Sequence, residues 1–99
     1  MSEPQVTITH EGDGKRGEYT AHIEGVDETG ELTWRAQDKD VRVATHTGVP
    51  RSMRGHGIAG KLVDALISDA REQGFKVVPA CSYVARKFDE HQEWSDLRA

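Results

Sequence analysis

The sequence is short of cysteine, of aromatic residues and of long apolar runs. Its one cysteine, Cys81, excludes an internal disulfide bond and any metal site built from several cysteines. No apolar stretch approaches the roughly 20 residues of a membrane-spanning helix, so we expect no membrane association. Basic residues are also outnumbered, 13 against 17 acidic ones, for a formal net charge of −4. That balance argues against a nucleic-acid partner held by charge alone.

The chain of 99 residues is long enough for one modest hydrophobic core, which predicts a single domain at residues 1–99. Residues 1–5 lack the basic and apolar regions of a signal peptide, so the sequence predicts a cytoplasmic protein. Three histidines, His10, His22 and His91, do not have the spacing of metal ligands relative to one another. We therefore expect no bound metal.

Alternating apolar and polar residues predict four strands in the first half of the chain. They are expected at about residues 5–10, 18–24, 32–36 and 41–49, with polar turns at 11–17, 25–30 and 38–40. Strands that follow one another through short turns favour an antiparallel meander.

Two helices and a fifth strand are predicted in the second half of the chain. Apolar residues at helical spacing predict an amphipathic helix at about 56–73, with Gly74 as its C-cap. A short strand at 75–80 should lie parallel to its neighbour, and its pairing should end at Pro79, which has no amide to donate. A second helix is expected at 83–90, so the predicted fold class is α+β. The buried contacts of that helix are expected to be Val84, Phe88 and Trp94.

The turn between the fourth strand and the main helix is rich in glycine and arginine. Its glycines let the backbone approach a ligand closely. The first amides of a helix have no partner inside it, and the helix dipole adds partial positive charge there. Arg51 and Arg54 add charge beside the turn, and no acidic residue occurs within residues 41–63. Together these features predict a phosphate or pyrophosphate site.

Known phosphate-binding motifs fit this turn unequally. A P-loop needs Ser or Thr after its lysine, but the lysine here is followed by leucine. Gly55, Gly57 and Gly60 match the Gly-x-Gly-x-x-Gly pattern of a Rossmann fold, yet that loop belongs near the first strand, with several strand–helix units after it. The pattern Arg-x-x-Gly-x-Ala, formed by Arg54, Gly57 and Ala59, fits better. It resembles the acyl-coenzyme A loop of the GNAT superfamily of N-acetyltransferases.

The tail of the chain strengthens the resemblance. Residues 76–84, followed by His91 and by the segment 94–97, are similar to a subgroup of very small stand-alone GNAT-like proteins. The similar part spans residues 43–94. The resemblance implies acetyl-coenzyme A as co-substrate, an amine as acceptor, and fourth and fifth strands that splay apart around the thioester.

In the superfamily the fourth strand contacts the pantetheine arm, and the loop amides hold the pyrophosphate. The resemblance places the arm at Val49 and the pyrophosphate in the loop, with Arg51 beside it. The implied cradle residues are Arg54, Gly55, His56, Gly57, Ile58, Ala59 and Gly60. Larger members carry helices between the first two strands, where this chain has only residues 11–17. The resemblance therefore implies an open acceptor side.

Acetyl transfer needs a neutral amine, donors for the oxyanion and a proton for the departing thiolate. His46, late in the fourth strand, could deprotonate the amine, and its expected alternation partners Ala44 and Gly48 are small. Cys81, just after the fifth strand, could protonate the thiolate, or attack first and carry the acetyl group itself. The start of the second helix should lower the pKa of this thiol. Tyr83 is a further candidate acid.

Each role has a structural alternative. A lone cysteine at a strand end is often a packing residue, and a histidine on a strand is often only hydrogen-bonded. The acidic residues within 24–31 form a solvated turn or attract a cationic amine. The sequence therefore predicts an acetyl-coenzyme A-dependent N-acetyltransferase, and the alternative is a coenzyme A-binding module without acceptor chemistry.

Overall fold

The computed structural model of the protein describes residues 5–99, in which five strands form one mixed sheet. Residues 1–4, which make up most of the segment used for the signal-peptide prediction, lie outside the described residues. The strands, in their order across the sheet, are β1 (Val6–Gly12), β2 (Arg16–Ile23), β3 (Gly30–Asp38), β4 (Val41–Gly48) and β5 (Lys76–Pro79). The helices are α1 (Ile58–Gln73) and α2 (Ser82–Glu90), with 3₁₀ helices at Arg51–Met53 and Gln92–Leu97. β1 to β4 are antiparallel and β5 is parallel to β4, which confirms the predicted α+β order.

One face of the sheet packs against α1 and supplies the hydrophobic core. Leu62 and Leu66 of α1 are fully buried, as is Leu32 of β3. Burying a side chain of this size stabilises the fold by about 1.5–3 kcal/mol, so the apolar stripe holds α1 on the sheet. The second half of the chain joins the same cluster through Phe88 and Trp94, whose rings meet edge-on at 5.7 Å. Trp94 lies in the 3₁₀ helix after α2, but its predicted burial is confirmed.

Glycines bound α1 at both ends. The helix begins at Ile58 rather than at the predicted His56, because Gly57 has a φ of +67° in the left-handed region. At the other end Gly74 has a φ of +82° and donates its amide to the Ala70 carbonyl at 2.9 Å, which is the predicted C-cap. Neither helix of the described residues has the length and apolar content needed to cross a bilayer.

The β1–β2 hairpin is tighter than the turn predicted at residues 11–17. The strands remain paired as far as Gly12 and Gly17. Asp13 closes the turn, because its Oδ1 accepts hydrogen bonds from the amide of Lys15 at 2.9 Å and from the next amide at 3.1 Å. The residues at this exposed end are polar on both faces, so no apolar alternation marks where the strands end.

A β-bulge interrupts β4. Thr33 pairs with His46, whereas the next residue, Trp34, pairs with Ala44, which leaves Thr45 as the extra residue. Thr45 and His46 are both exposed, while Ala44 is fully buried. The expectation that His46 and Ala44 alternate onto the same face is therefore wrong, because the bulge shifts the register between them.

β4 and β5 are paired over only the first half of β4. Parallel pairing ends at Ala44 and Pro79, as predicted for a strand that ends in proline. The amide of Cys81 then donates to the Ala44 carbonyl at 3.0 Å. Beyond this bond β4 continues to Gly48, while the chain after Cys81 turns into α2. The two strands therefore part at the end of β4 that leads into α1.

Candidate active site

The chain between β4 and α1 forms a loop with bare backbone around a small cavity. Gly55 and Gly57 have φ values of +88° and +67°, which residues with a side chain rarely adopt. Among residues 5–99, and apart from the chain neighbours, no atom lies within 4 Å of the position that a Cβ would take at either glycine, so the backbone conformation rather than crowding requires glycine. Met53 anchors the loop with a fully buried side chain. Ser52 Oγ donates to Glu28 Oε1 at 2.8 Å and ties the loop to the β2–β3 connection.

The cavity beside this loop has a volume of about 190 Å³. It is lined by Val49, Met53, Arg54, Gly55, Gly57, Ile58, Ala59, Gly60 and Tyr83. The predicted coenzyme residues therefore lie together, except Arg51 and His56, which are exposed and outside the lining. The loop pattern missed Met53, because a buried methionine has no sequence feature that separates it from other core residues. The loop pattern also did not predict that Tyr83 lines the cavity, because Tyr83 is distant from the loop in the chain.

The start of α1 presents unpaired amides to the cavity. The amide of Lys61 makes the first intrahelical bond, to the Gly57 carbonyl at 3.1 Å. The amides before it have no partner inside the helix, and they belong to Ile58, Ala59 and Gly60. The first turn contains no acidic residue and no side-chain cap. These amides and the positive end of the helix dipole favour an anion in the cavity.

Positive charge near the cavity comes from Arg51 and Arg54. Arg54 lines the cavity, and Arg51 belongs to the 3₁₀ helix just before it. Both side chains are exposed, and within residues 5–99 neither forms a salt bridge. An anion in the cavity would therefore meet guanidinium groups that no carboxylate of the described part of the chain already neutralises.

Cys81 lies where β4 and β5 part, at the N-cap of α2. Its thiol is partly buried and donates to Thr47 Oγ1 at 3.5 Å. Burial raises the pKa of Cys81, but hydrogen bonding from Thr47 and from amides in the first turn of α2 outweighs it, so the pKa of this thiol lies below its ordinary value. The direction agrees with the lowering expected at a helix N-terminus.

Tyr83 lies in the first turn of α2, two residues after Cys81 and beside the loop cavity. Its side chain lines the cavity, and its hydroxyl lies 3.8 Å from the position that a Cβ would take at Gly60. Lys87 Nζ lies 5.7 Å from the centroid of the tyrosine ring. Cys81 and Tyr83 are therefore close to the same junction of β4, α1 and α2.

His46 lies on the opposite face of β4 from Cys81. Thr47, whose hydroxyl contacts the thiol, pairs with the buried Leu32 and so points to the face that α1 covers. His46 precedes Thr47, and its exposed side chain points to the other face. Its Nε2 lies 3.0 Å from the position that a Cβ would take at Gly48, so this glycine leaves room for the imidazole. The structure therefore places the two candidate catalytic residues on two sides of one strand.

Residues 18–97, most of the chain, match the family model of the GCN5-related N-acetyltransferases. The chain belongs to this family. Protein NATD1 of Gallus gallus is 30% identical to it over 92% of this chain and 83% of that protein. Protein NATD1 of Xenopus tropicalis is 28% identical over 90% of this chain and 82% of that protein. The GNAT membership predicted from the loop and the tail is thus confirmed.

The fold of this GNAT protein is also found in a solved structure. The NMR solution structure of a GCN5-like protein from Staphylococcus aureus aligns with a TM-score of 0.70 at 24% sequence identity. The alignment covers 94% of this chain and 87% of that chain. The likeness confirms the GNAT-like architecture, in which the loop between β4 and α1 occupies the position predicted for it.

Proposed function

We propose that this protein is a minimal one-domain N-acetyltransferase that transfers the acetyl group of acetyl-coenzyme A to an amine. The proposal rests mainly on the unpaired amides of Ile58, Ala59 and Gly60, which line an acid-free cavity beside the parting of β4 and β5. The residues present fit a diphosphate, because the backbone is bare at Gly55 and Gly57 and leaves space in front of it.

The coenzyme-binding residues divide into two groups. The α1 amides donate hydrogen bonds to the diphosphate, while Arg51 and Arg54 compensate its charge. The backbone at Val49, where β4 ends without a β5 partner, receives the pantetheine arm. When bound, acetyl-coenzyme A supplies an activated thioester carbonyl, and the gap between β4 and β5 gives that carbonyl access to both faces of the sheet.

The acceptor amine approaches from the face that carries His46. Its nitrogen bonds to the carbonyl carbon, the carbon–sulfur bond breaks, and the imidazole of His46 takes the proton that the amine loses. The departing sulfur gains a proton from the other face, where Tyr83 and Cys81 lie. The lowered pKa of Cys81 favours its thiolate, which suits Tyr83 as the acid and leaves Cys81 able to carry the acetyl group.

Calorimetry with acetyl-coenzyme A tests the binding part of the proposal. The variant Ala59→Glu puts a carboxylate at the start of α1, where it complements the helix dipole but repels a diphosphate. We expect the wild type to bind and this variant to lose at least about tenfold in affinity, equivalent to about 1.4 kcal/mol. Ser68→Glu is the matched control, because it adds the same charge at an exposed position further along α1.

Loss of binding in Ala59→Glu cannot be assigned to unfolding if the variant melts at or above the temperature of the wild type. Absence of binding by the wild type at millimolar acetyl-coenzyme A contradicts the proposal. Equal affinity in Ala59→Glu would show that the ligand binds elsewhere.

Turnover separates an enzyme from a coenzyme-binding module. Acetylation of an amine panel by the wild type, and its loss in the double variant His46→Ala, Cys81→Ala, support the proposed mechanism.

Intact mass after incubation with acetyl-coenzyme A tests the covalent route. An acetyl adduct on the wild type that Cys81→Ala lacks identifies an acetyl-cysteine, and a wild type without adduct assigns direct transfer. Binding without turnover of any amine supports the module instead.

A further inference from the structure

A second and larger cavity lies on the face of the sheet opposite α1. Its volume is about 650 Å³, within the size range of small-molecule sites. Charged and hydroxyl side chains from all four antiparallel strands or their ends line it, and they include Glu11, Arg16, Glu18, Thr33, Arg35 and Thr45. The loop cavity for the coenzyme lies at a different place and contains none of these residues.

An acidic row in this cavity leads to His46. Glu11 pairs with Glu18, Glu18 pairs with Thr33, and Thr33 pairs with His46 across four adjacent strands. Paired residues share a face of the sheet, so these side chains lie side by side on its outer face. Thr45 borders the cavity at β4, where its Oγ1 lies 2.8 Å from Thr33 Oγ1. The cavity therefore ends beside the residue that is proposed to deprotonate the amine.

A basic row lies next to the acidic one. Arg16 pairs with Arg35, two residues along the strands from Glu18 and Thr33, so the rows are about 7 Å apart on the same face. Like charges directly opposite each other destabilise a sheet, and this cavity has such a pair in each row, because Glu11 also faces Glu18. Within residues 5–99 none of these four charged side chains forms a salt bridge.

Repulsion in the acidic row is increased by a third carboxylate. A side-chain hydrogen bond with Glu31, together with burial and the charge of Glu31, raises the pKa of Glu18 above its ordinary value. Glu31 pairs with Gly48, so it belongs to the same outer face as His46. A cation placed near Glu18 would relieve this crowding, and an anion placed between the arginines would relieve the other pair.

We propose that the acceptor is a small zwitterionic amine, an amino acid or a compound of that kind, bound in this outer cavity. The inference rests on the proposed acetyltransferase function and names its substrate class. The ammonium group lies over Thr33, between Glu18 and His46, and the carboxylate contacts Arg16 and Arg35. A simple amine leaves the two arginines opposed, and a simple carboxylate leaves the two glutamates opposed. A ligand with both charges compensates both rows, and its amine then lies one strand from His46.

Matched substrates test the carboxylate requirement. L-alanine, β-alanine and γ-aminobutyrate are compared at saturating acetyl-coenzyme A with ethylamine and propylamine, which lack the carboxylate. We expect at least one zwitterion to have a kcat/KM at least about tenfold above that of its decarboxylated counterpart, since one bidentate arginine contact to a carboxylate is worth a factor of that size. In the double variant Arg16→Gln, Arg35→Gln this ratio falls to about one, while the affinity for acetyl-coenzyme A stays unchanged.

The double variant Lys15→Gln, Lys39→Gln is the charge-matched control, because both lysines are exposed in turns and outside the cavity. It should keep the substrate ratio of the wild type. A wild-type ratio near one overturns the proposal, and so does a ratio that survives loss of both arginines or falls equally in the lysine control. Thermal unfolding provides a further check, because removing the opposed arginines should leave stability equal or higher.

A titration without acetyl-coenzyme A separates this inference from the proposed function. Amide shifts at Thr33 and Thr45 are followed by NMR as γ-aminobutyrate or propylamine is added. Saturable shifts with γ-aminobutyrate, at an affinity at least about tenfold higher than that for propylamine, support the cavity even if no amine is acetylated. Equal or absent responses overturn it, even if acetyl-coenzyme A binds as proposed.

Discussion

The two faces of the sheet differ in what holds their side chains in place. On the face that packs against α1, Tyr19, Leu32 and Trp34 are almost fully buried, so packing determines their positions. On the outer face, Thr33 is half-buried and His46 is exposed, so cross-strand register determines theirs. The comparison teaches that this small protein separates stability from proposed chemistry by face, since a change on one face need not alter the other.

Polar groups on the inner face are paired rather than free. Tyr19 donates its hydroxyl to Asp69 Oδ2 at 2.6 Å, and the Trp34 indole donates to His10 Nε2 at 3.0 Å. The ring of His10 also stacks on Tyr19, with centroids 4.3 Å apart. These bonds satisfy polar atoms that burial would otherwise penalise. On the outer face the like-charged pairs of the second cavity, Glu11 with Glu18 and Arg16 with Arg35, repel each other instead. A charged ligand would compensate these pairs.

The largest expected effect is on the inner face of the fold. Leu62→Ala removes a fully buried side chain and should lower the free energy of unfolding by about 3 kcal/mol. Urea titration measures the change. Lys61→Ala, at the exposed neighbouring position, should change it by less than about 0.5 kcal/mol. Similar losses in both variants would mean that α1 does not pack on the sheet through this face.

A smaller loss should follow removal of one inner-face hydroxyl. Tyr19→Phe leaves Asp69 without the hydrogen bond that it accepts at 2.6 Å, and we expect a loss of about 1–2 kcal/mol in unfolding free energy. Tyr83→Phe, which removes a hydroxyl at the loop cavity, should cost less than about 0.5 kcal/mol. The comparison fails if the Tyr83 variant is the less stable of the two.

The reactivity of Cys81 should depend on its inner-face neighbour. Thr47→Val removes a hydroxyl that stabilises the thiolate, so the pKa of Cys81 should rise. Alkylation by iodoacetamide at pH 7 should then slow about threefold, because less of the thiol is present as the reactive thiolate. Thr9→Val, on the outer face of β1, serves as control and should leave the rate unchanged. An unaltered rate in Thr47→Val would contradict the assigned cause of the lowered pKa.

The smallest expected effect is a pH dependence of stability. Burial lowers the pKa of His10 below its ordinary value of 6.5, although the Asp69 charge opposes part of the shift. The unfolded chain therefore binds the proton more readily. The contribution is complete above pH 6.5 and is lost as the pH falls from there through the folded-state pKa. Melting temperatures at pH 7 and pH 5 should differ less in His10→Gln than in the wild type, and identical differences would refute the assignment.

Strand and helix identities were predictable because burial leaves a local trace. The alternation of Tyr19, Ala21 and Ile23, and the helical stripe through Leu62 and Leu66, follow directly from one buried face. The ends of strands and helices were less predictable where the alternation or helical spacing of apolar residues stops. The hairpin end near Asp13 is polar on both faces, and the start of α1 depends on a left-handed glycine.

The loop of the candidate site was predictable from the sequence. The face of the sheet on which each candidate catalytic residue lies was not. The residues predicted to bind the coenzyme follow one another in the chain, and most of them line one cavity. The relation between His46 and Cys81 depends on the bulge at Thr45 and on which β3 residue faces which β4 residue. Neither feature has a sequence pattern here. The outer cavity was missed for the same reason, because its charged residues come from separate strands.

By itself the amino-acid sequence determined the order of strands and helices, the core face of α1, and the glycine-rich loop that marks the GNAT family, because each depends on residues close together in the chain. Only the tertiary structure decided that His46 and Cys81 lie on opposite faces of β4 and that paired glutamates lie beside paired arginines. These features arise from cross-strand register, and one added residue in a strand reverses the face of every side chain beyond it.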